Sequence, residues 1–327
     1  MIRGDSILVS LVKLVDQLPW PPEPDKRPRG CPRQYSDRLI MKALVIMIIR
    51  RLYSAYALLR FLEQDDPVPA QLRQLLVEQG RFPSRRTWER RLARLPDTLP
   101  GLIGYSGRHR VVLLNPGRHQ GRAVSLDSTA LATGGGVWHK KHRELGEIPH
   151  SSIDTEAGWS KSGWHGWWYG WKLHLAVTVG SIWRPVAAEL TVANHADQEV
   201  APRLLDQVPL ETRYVLGDTH YNDPELRSQG QRRGAELVAT RRGAYPHQDG
   251  GAAVRKVFHQ LRSKSIEPFN GLFKGVCEWR VKMPVKGLER SKLLALGAIV
   301  IYQLALFYQH EHTLSLGQGI KPLLRAA

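Results

Sequence analysis

Apolar residues recur with a helical period up to about residue 95 and with a strand period from residue 124. The sequence therefore predicts an α-helical first part and an α/β second part. Residues 6–18 (SILVSLVKLVDQL) carry helical spacing and predict a short helix. Six prolines between Pro19 and Pro32, interleaved with Lys26, Arg27, Arg29 and Arg33, then exclude helix and sheet and predict an extended basic connector. Ser36-Asp37 caps a helix over Leu39–Leu52, and further helices are expected at Ser54–Gln64 and about Pro69–Gln79. The turn Gly80-Arg81-Phe82-Pro83 leads to Ser84, which caps a helix over Arg85–Leu95. That helix bears Arg85, Arg86, Arg90, Arg91 and Arg94 beside Trp88, Leu92 and Leu95. Two helices joined by a short glycine-containing turn, the second rich in arginine, form a helix-turn-helix pattern; a solvated arginine face is the plainer alternative. Residues 96–121, punctuated by proline and glycine, are expected to be a link.

From Val124 the texture is β. Strands are expected at 124–131, 168–179, 184–192, 212–218 and 235–241. Helices are expected at Asp197–Val208, at Pro224–Arg233 and from about 265 onward, with a long polar excursion at Thr133–Gly166. Three strands followed by alternating helices and strands is the element order of a ribonuclease-H-like α/β layer, a mixed β-sheet with flanking helices. The expected division is residues 1–35 (helix and connector), 36–116 (helical DNA-binding part), 117–310 (catalytic part) and 311–327 (tail). Leu293–Phe307 is the most apolar run; it is shorter than a bilayer requires and contains Gln303, so it reads as a buried helix.

Composition narrows the function. The chain has 327 residues, 42% of them hydrophobic, which suffices for a sizeable core and excludes a disordered class. Lys and Arg number 47 against 30 acidic residues, for a net charge of +17. A surplus of that size points to a polyanion, and nucleic acid is the commonest. Cys31 and Cys277 stand alone, which excludes a disulfide framework or a cysteine zinc site. Asp5 and Lys13 interrupt the apolar N-terminus, so no signal peptide is read there, and a cytoplasmic, nucleoid-associated protein is expected.

Three carboxylates occupy settings that need explaining. Asp127 lies inside the apolar strand run Val124–Leu131, where a charge is costly unless it is paired or sits on a metal. The plainer reading is a strand-end Asp capping the next turn. Asp218 closes the second such strand (Tyr214-Val215-Leu216-Gly217-Asp218), at the carboxyl end where ligands gather in open α/β sheets. Glu267 starts a helix whose Ile266, Phe269, Phe273 and Val276 form an apolar stripe, with Asn270 and Lys274 on the adjacent face. Two Asp and one Glu so placed can hold two divalent metals roughly 3.5–4 Å apart, and hard oxygen ligands select Mg²⁺ or Mn²⁺. That is machinery for cutting and joining phosphodiesters.

With these residues the chain resembles, over most of its length, the DDE-type transposases of bacterial insertion sequences, in the grouping of families four and five. Asp127 in Ser-Leu-Asp-Ser-Thr resembles the first catalytic Asp. Asp218 resembles the Asp of the Asp-x-Gly-Tyr-Asp box, with His220 in place of Gly. Glu267 with Lys274 resembles the closing signature. Tyr169–His174, Asn194-His195-Ala196-Asp197 and Gly30–Asp37 are supporting matches. The resemblance implies catalytic, metal-binding roles for Asp127, Asp218 and Glu267, two Mg²⁺ or Mn²⁺ ions, double-stranded DNA with terminal inverted repeats as partner, and a homodimer in the DNA complex. Contacts to DNA are expected from Arg85, Arg86, Arg90, Arg91, Lys172, Lys264 and Lys274. The chain departs from the pattern where the family carries Tyr and Arg before the Glu; here those positions are Gln260 and Ser263, leaving Arg262 or Lys264 to supply the cation. A nuclease without strand transfer and a decayed DNA-binding protein are the alternatives. Five tryptophans between Trp159 and Trp171 read as core packing or as a surface for unpaired bases. Asp154 and Glu156 read as loop carboxylates.

Overall fold

The computed structural model describes residues 6–22, 34–113, 122–163, 166–239, 251–279 and 281–327. Most of the basic proline connector and the turn at 117–121 lie outside these residues. The helices of the first part are α1 (Ile7–Leu14), α2 (Asp37–Ile49), α3 (Ala55–Leu62), α4 (Pro67–Leu75), α5 (Arg85–Arg94) and α6 (Leu99–Leu113). Side chains of Ser6, Ser36, Ser54, Asp66 and Ser84 accept the first-turn amides of α1 to α5 in turn, each such cap contributing about 1 kcal/mol.

Two expectations change here. α4, expected from about Pro69 to Gln79, begins at Pro67, because Asp66 caps it and proline suits the first helical position, and it stops at Leu75. Glu78 and Arg81 then exchange both backbone hydrogen bonds at 3.0 Å around Gln79 and Gly80, whose φ values are 51° and 72°. The link between α4 and α5 is thus a tight β-type turn within a longer connection. The expected link over 96–121 is for the most part α6. Gly107 is there for close approach: a Cβ on it would stand 2.9 Å from the Pro185 carbonyl oxygen and from Val186 Cα. Helix and sheet backbones meet where the sequence pattern suggests a break.

The second part is one six-stranded sheet of β1 (Ala123–Ala132), β2 (Gly158–Ser162), β3 (Gly166–Thr178), β4 (Pro185–Val192), β5 (Tyr214–Leu216) and β6 (Glu236–Val238). β3 pairs antiparallel with β1 along one edge. Along its other edge it pairs with β2 at residues 166–170 and with β4 at 171–177. β5 runs parallel to β1, and β6 parallel to β5. The order is therefore β4-β3-β1-β5-β6, with β2 extending β3 beyond the end of β1. The polar excursion after residue 133 contains α7 (Lys140–Glu144) and β2. Its Asp154 and Glu156 are fasteners: Asp154 takes the Thr133 hydroxyl and, at 3.0 Å, the Gly287 amide, while Glu156 takes the Leu288 amide at 2.6 Å.

α8 (Asp197–Gln207) and α9 (Pro224–Arg232) follow the predicted positions. α10 (Gly251–Ser263), which no element was expected to occupy, precedes α11 (Ile266–Cys277). α12 (Leu288–Glu311) is longer than the apolar run that predicts it. It is long and apolar enough to cross a bilayer, yet 83% of its apolar stretch is buried within the protein. It packs on α1, α2, α5, α6 and β4, so helices from the start of the chain and the sheet share its core. Buried Gln303 donates to the Ile103 carbonyl at 3.0 Å and the Pro185 carbonyl at 2.9 Å, tying α12 to α6 and β4. The expected tail forms α13 (Ile320–Ala326), which buries Ile320 and Leu324.

Candidate active site

Strand alternation decides where Asp127 points. Val124 and Leu126 enter the core shared with α8, while Ser125 and Asp127 turn to the opposite face. There Ser125 Oγ meets Ser265 Oγ at 2.9 Å, and Asp127 Oδ2 accepts from Asn270 Nδ2 at 3.2 Å. These contacts seat the start of α11 over the middle of β1. Parallel pairing sets Ser125 beside Leu216, so Asp127 and Asp218 each lie two residues beyond the last paired position. Asp218 leaves β5 into a one-turn 3₁₀ segment, accepting the His220 amide at 2.8 Å and facing His220 Nδ1 at 3.0 Å. That hydrogen bond raises the His220 pKa.

Burial pushes the Asp127 carboxyl up to about 7, Arg262 pulling it back and the charges of Asp218 and Asp197 adding to the rise. Arg262 joins two of the three carboxylates: its Nη2 lies 3.1 Å from Glu267 Oε1 and its Nη1 lies 4.0 Å from Asp127 Oδ1. The cation missing from position 263 is thus supplied from the end of α10. Glu267, half exposed in the first turn of α11, Asn270 and Lys274 follow one another along one helix face. Burial lowers the Lys274 pKa, with the Asp127 charge opposing it. Lys264 is exposed beside the same site.

A fourth carboxylate, Asp197 at the start of α8, carries more of this region than its place in a supporting motif suggests. Its Oδ1 stands 3.3 Å from both Lys172 Nζ and His174 Nδ1, and His174 Nε2 lies 2.9 Å from Thr191 Oγ1. Burial works against its ionisation, but the adjacent His174 ring and the Lys172 charge prevail and hold its carboxyl at about 2. Lys172 is engaged by Asp197 and by the His195 carbonyl at 2.9 Å.

On α5, Arg85, Arg86 and Arg90 are exposed, Arg85 being paired with Glu89 at 2.8 Å. Arg91 faces the other way. It is 9% exposed, holds Asp37 at 2.6 Å and the Tyr35 carbonyl at 2.5 Å, and so joins α5 to α2 instead of facing DNA. Of the described tryptophans in the cluster, Trp171 is core and Trp167 is 65% exposed, with Lys161 Nζ 5.6 Å from its ring centre.

The donor set at the carboxylates is all oxygen, which suits a hard divalent cation. Asn270 Oδ1, buried beside Asp127, has no hydrogen-bond partner among the described residues. Among the described residues, no three acidic, histidine or cysteine side chains cluster closely enough to hold a metal ion by themselves. Asp127 in mid-β1 and Asp218 just past the end of β5 are thus accompanied by the cations Arg262 and Lys274.

The family profile described as the transposase DDE domain matches residues 118–303, more than half of the chain. The protein belongs to that family, and is a DDE-type transposase. No curated protein matches it. Among solved structures it is similar to the piggyBac transposase synaptic complex with hairpin DNA, at a TM-score of 0.44 and 9% identity, over 97% of this chain and 76% of that one. So loose an overlay transfers neither fold nor partner.

Proposed function

We propose that this protein is the transposase of a bacterial insertion sequence, cutting and joining phosphodiester bonds at the ends of its element. The observation that carries the reading is Asp127 in mid-β1, with Asp218 just past the end of the parallel neighbour β5 and α11 docked over Asp127 through Asn270. The strand order, with β3 antiparallel and β5 and β6 parallel to β1, supports a ribonuclease-H-like sheet. Asp127, Asp218 and Glu267 would hold two Mg²⁺ or Mn²⁺ ions, which when bound activate a water or 3′-hydroxyl and stabilise the leaving oxygen. Arg262 would link Glu267 to Asp127 through its guanidinium. Lys274 offers an ammonium, roughly 10 Å along the helix from Glu267, to a phosphate beside the scissile bond. Arg85, Arg86 and Arg90 on α5, with Lys264, contact DNA of the inverted repeats. Two ends handled together imply a homodimer on DNA, acting at the nucleoid in the cytoplasm.

The test is Mg²⁺-dependent nicking and strand joining on duplexes bearing the repeats that flank the gene. Asp127→Asn, Asp218→Asn and Glu267→Gln should each abolish both activities and leave DNA binding intact. Wild-type turnover by any one of them removes that residue from the centre. Cleavage without joining would instead favour a nuclease.

A further inference from the structure

Asn270 is one turn beyond Glu267 on α11 and only 9% exposed. Its Nδ2 donates to Asp127 Oδ2 at 3.2 Å. This contact fixes the orientation of the amide, because the reversed group would set its oxygen against the carboxylate oxygen. Oδ1 must therefore be the other end, and it is buried without a hydrogen-bond partner among the described residues. Its helix neighbours Ile266, Phe269 and Phe273 are apolar, and an apolar side chain at position 270 would have filled the space without burying an unsatisfied oxygen. The group that such an oxygen meets is set by its surroundings. Beside it lie the carboxylate of Asp127, with Asp218 in charge range of Asp127, and Arg262 Nη1 4.0 Å from Asp127. A carbonyl oxygen in such surroundings attracts a hard cation, for which amide oxygens are ordinary ligands.

We propose that Asn270 is a metal ligand and positioning residue of this centre, its Nδ2 orienting Asp127 while its Oδ1 gives a further oxygen to the divalent cation that Asp127 holds. The assignment rests on the carboxylate-centre reading and deepens it. It also accounts for a site in which the carboxylates alone do not close a cage, since an amide completes the oxygen set.

The experiment is Mn²⁺ titration of the full-length protein, stripped with EDTA, by calorimetry and electron paramagnetic resonance. Asn270→Leu, close in shape but without polar atoms, should weaken Mn²⁺ binding by roughly 10–100-fold. Asn270→Asp keeps an oxygen at the same place and should bind within severalfold of wild type or more tightly. Melting in EDTA checks that each variant folds, and Asn270→Ala replaces the leucine variant if that one does not. Unchanged affinity in the leucine or alanine variant overturns the inference. So does an aspartate variant as weak as they are, since the amide would then act only through its N–H. Wild-type binding that Asp127→Asn abolishes while Asn270→Leu leaves it intact sinks this inference alone. No Mn²⁺ binding by wild type, or binding untouched by Asp127→Asn, overturns the carboxylate centre and this inference with it.

Discussion

Replacing the central carboxylate should make the protein more stable at alkaline pH. Asp127 has a carboxyl pushed from 3.8 to about 7, chiefly by burial. A shift of roughly three units, at 1.36 kcal/mol each, puts the cost of keeping it ionised in the fold at about 4 kcal/mol. The folded chain holds this proton more tightly than the unfolded chain does. Its contribution to stability is therefore complete below about pH 4, declines as pH rises, and is lost above about pH 7. Asp127→Asn removes the charge and can still accept from Asn270, but it leaves Arg262 with Glu267 alone, so the expected gain at pH 8 is discounted to about 2–3 kcal/mol. At pH 4 the two proteins should differ little, because wild-type Asp127 is then largely neutral. Urea unfolding in EDTA at pH 4 and pH 8 measures both differences. An asparagine variant no more stable at pH 8, or one equally stabilised at both pH values, would refute the reasoning.

Arg86→Ala and Arg90→Ala should each weaken DNA binding and reduce the salt slope by about one, whereas Arg91→Ala should instead cost about 2–4 kcal/mol in urea unfolding, because it strands Asp37 at a largely buried pair. Lys274→Ala should lower cleavage strongly with no rescue by added Mg²⁺ in a titrated nicking assay; recovery at high Mg²⁺ would return it to the ordinary surface lysines. Gly107→Ala should destabilise by about 1–3 kcal/mol through its clash with Pro185 and Val186, whereas Gly101→Ala, which meets nothing within 4 Å, should be neutral or stabilising in thermal melts.

Local chemistry made much of this protein legible in its sequence. Helix caps and apolar period place α2, α3, α5, α8 and α9, because both act within a few residues. The strand runs around Asp127 and Asp218 show as carboxylates set in apolar surroundings, and Gln303 shows that the most apolar helix is internal. What the sequence could not convey is which distant group each side chain meets. Arg91 looks like its neighbours on α5 until Asp37, 54 residues away, claims it. Nothing local to Lys172 tells that α8 brings Asp197 against it. Gly107 of α6 reads as a break because the β4 backbone that needs its missing side chain lies far along the chain. α10 went unread because a helix's local pattern does not show what it is for; its Arg262 gains meaning only between Asp127 and Glu267. Asn270 is one more polar residue on a helix face until tertiary packing carries it across 143 residues to Asp127, because pairing at that range is set by register and burial, not by local propensity.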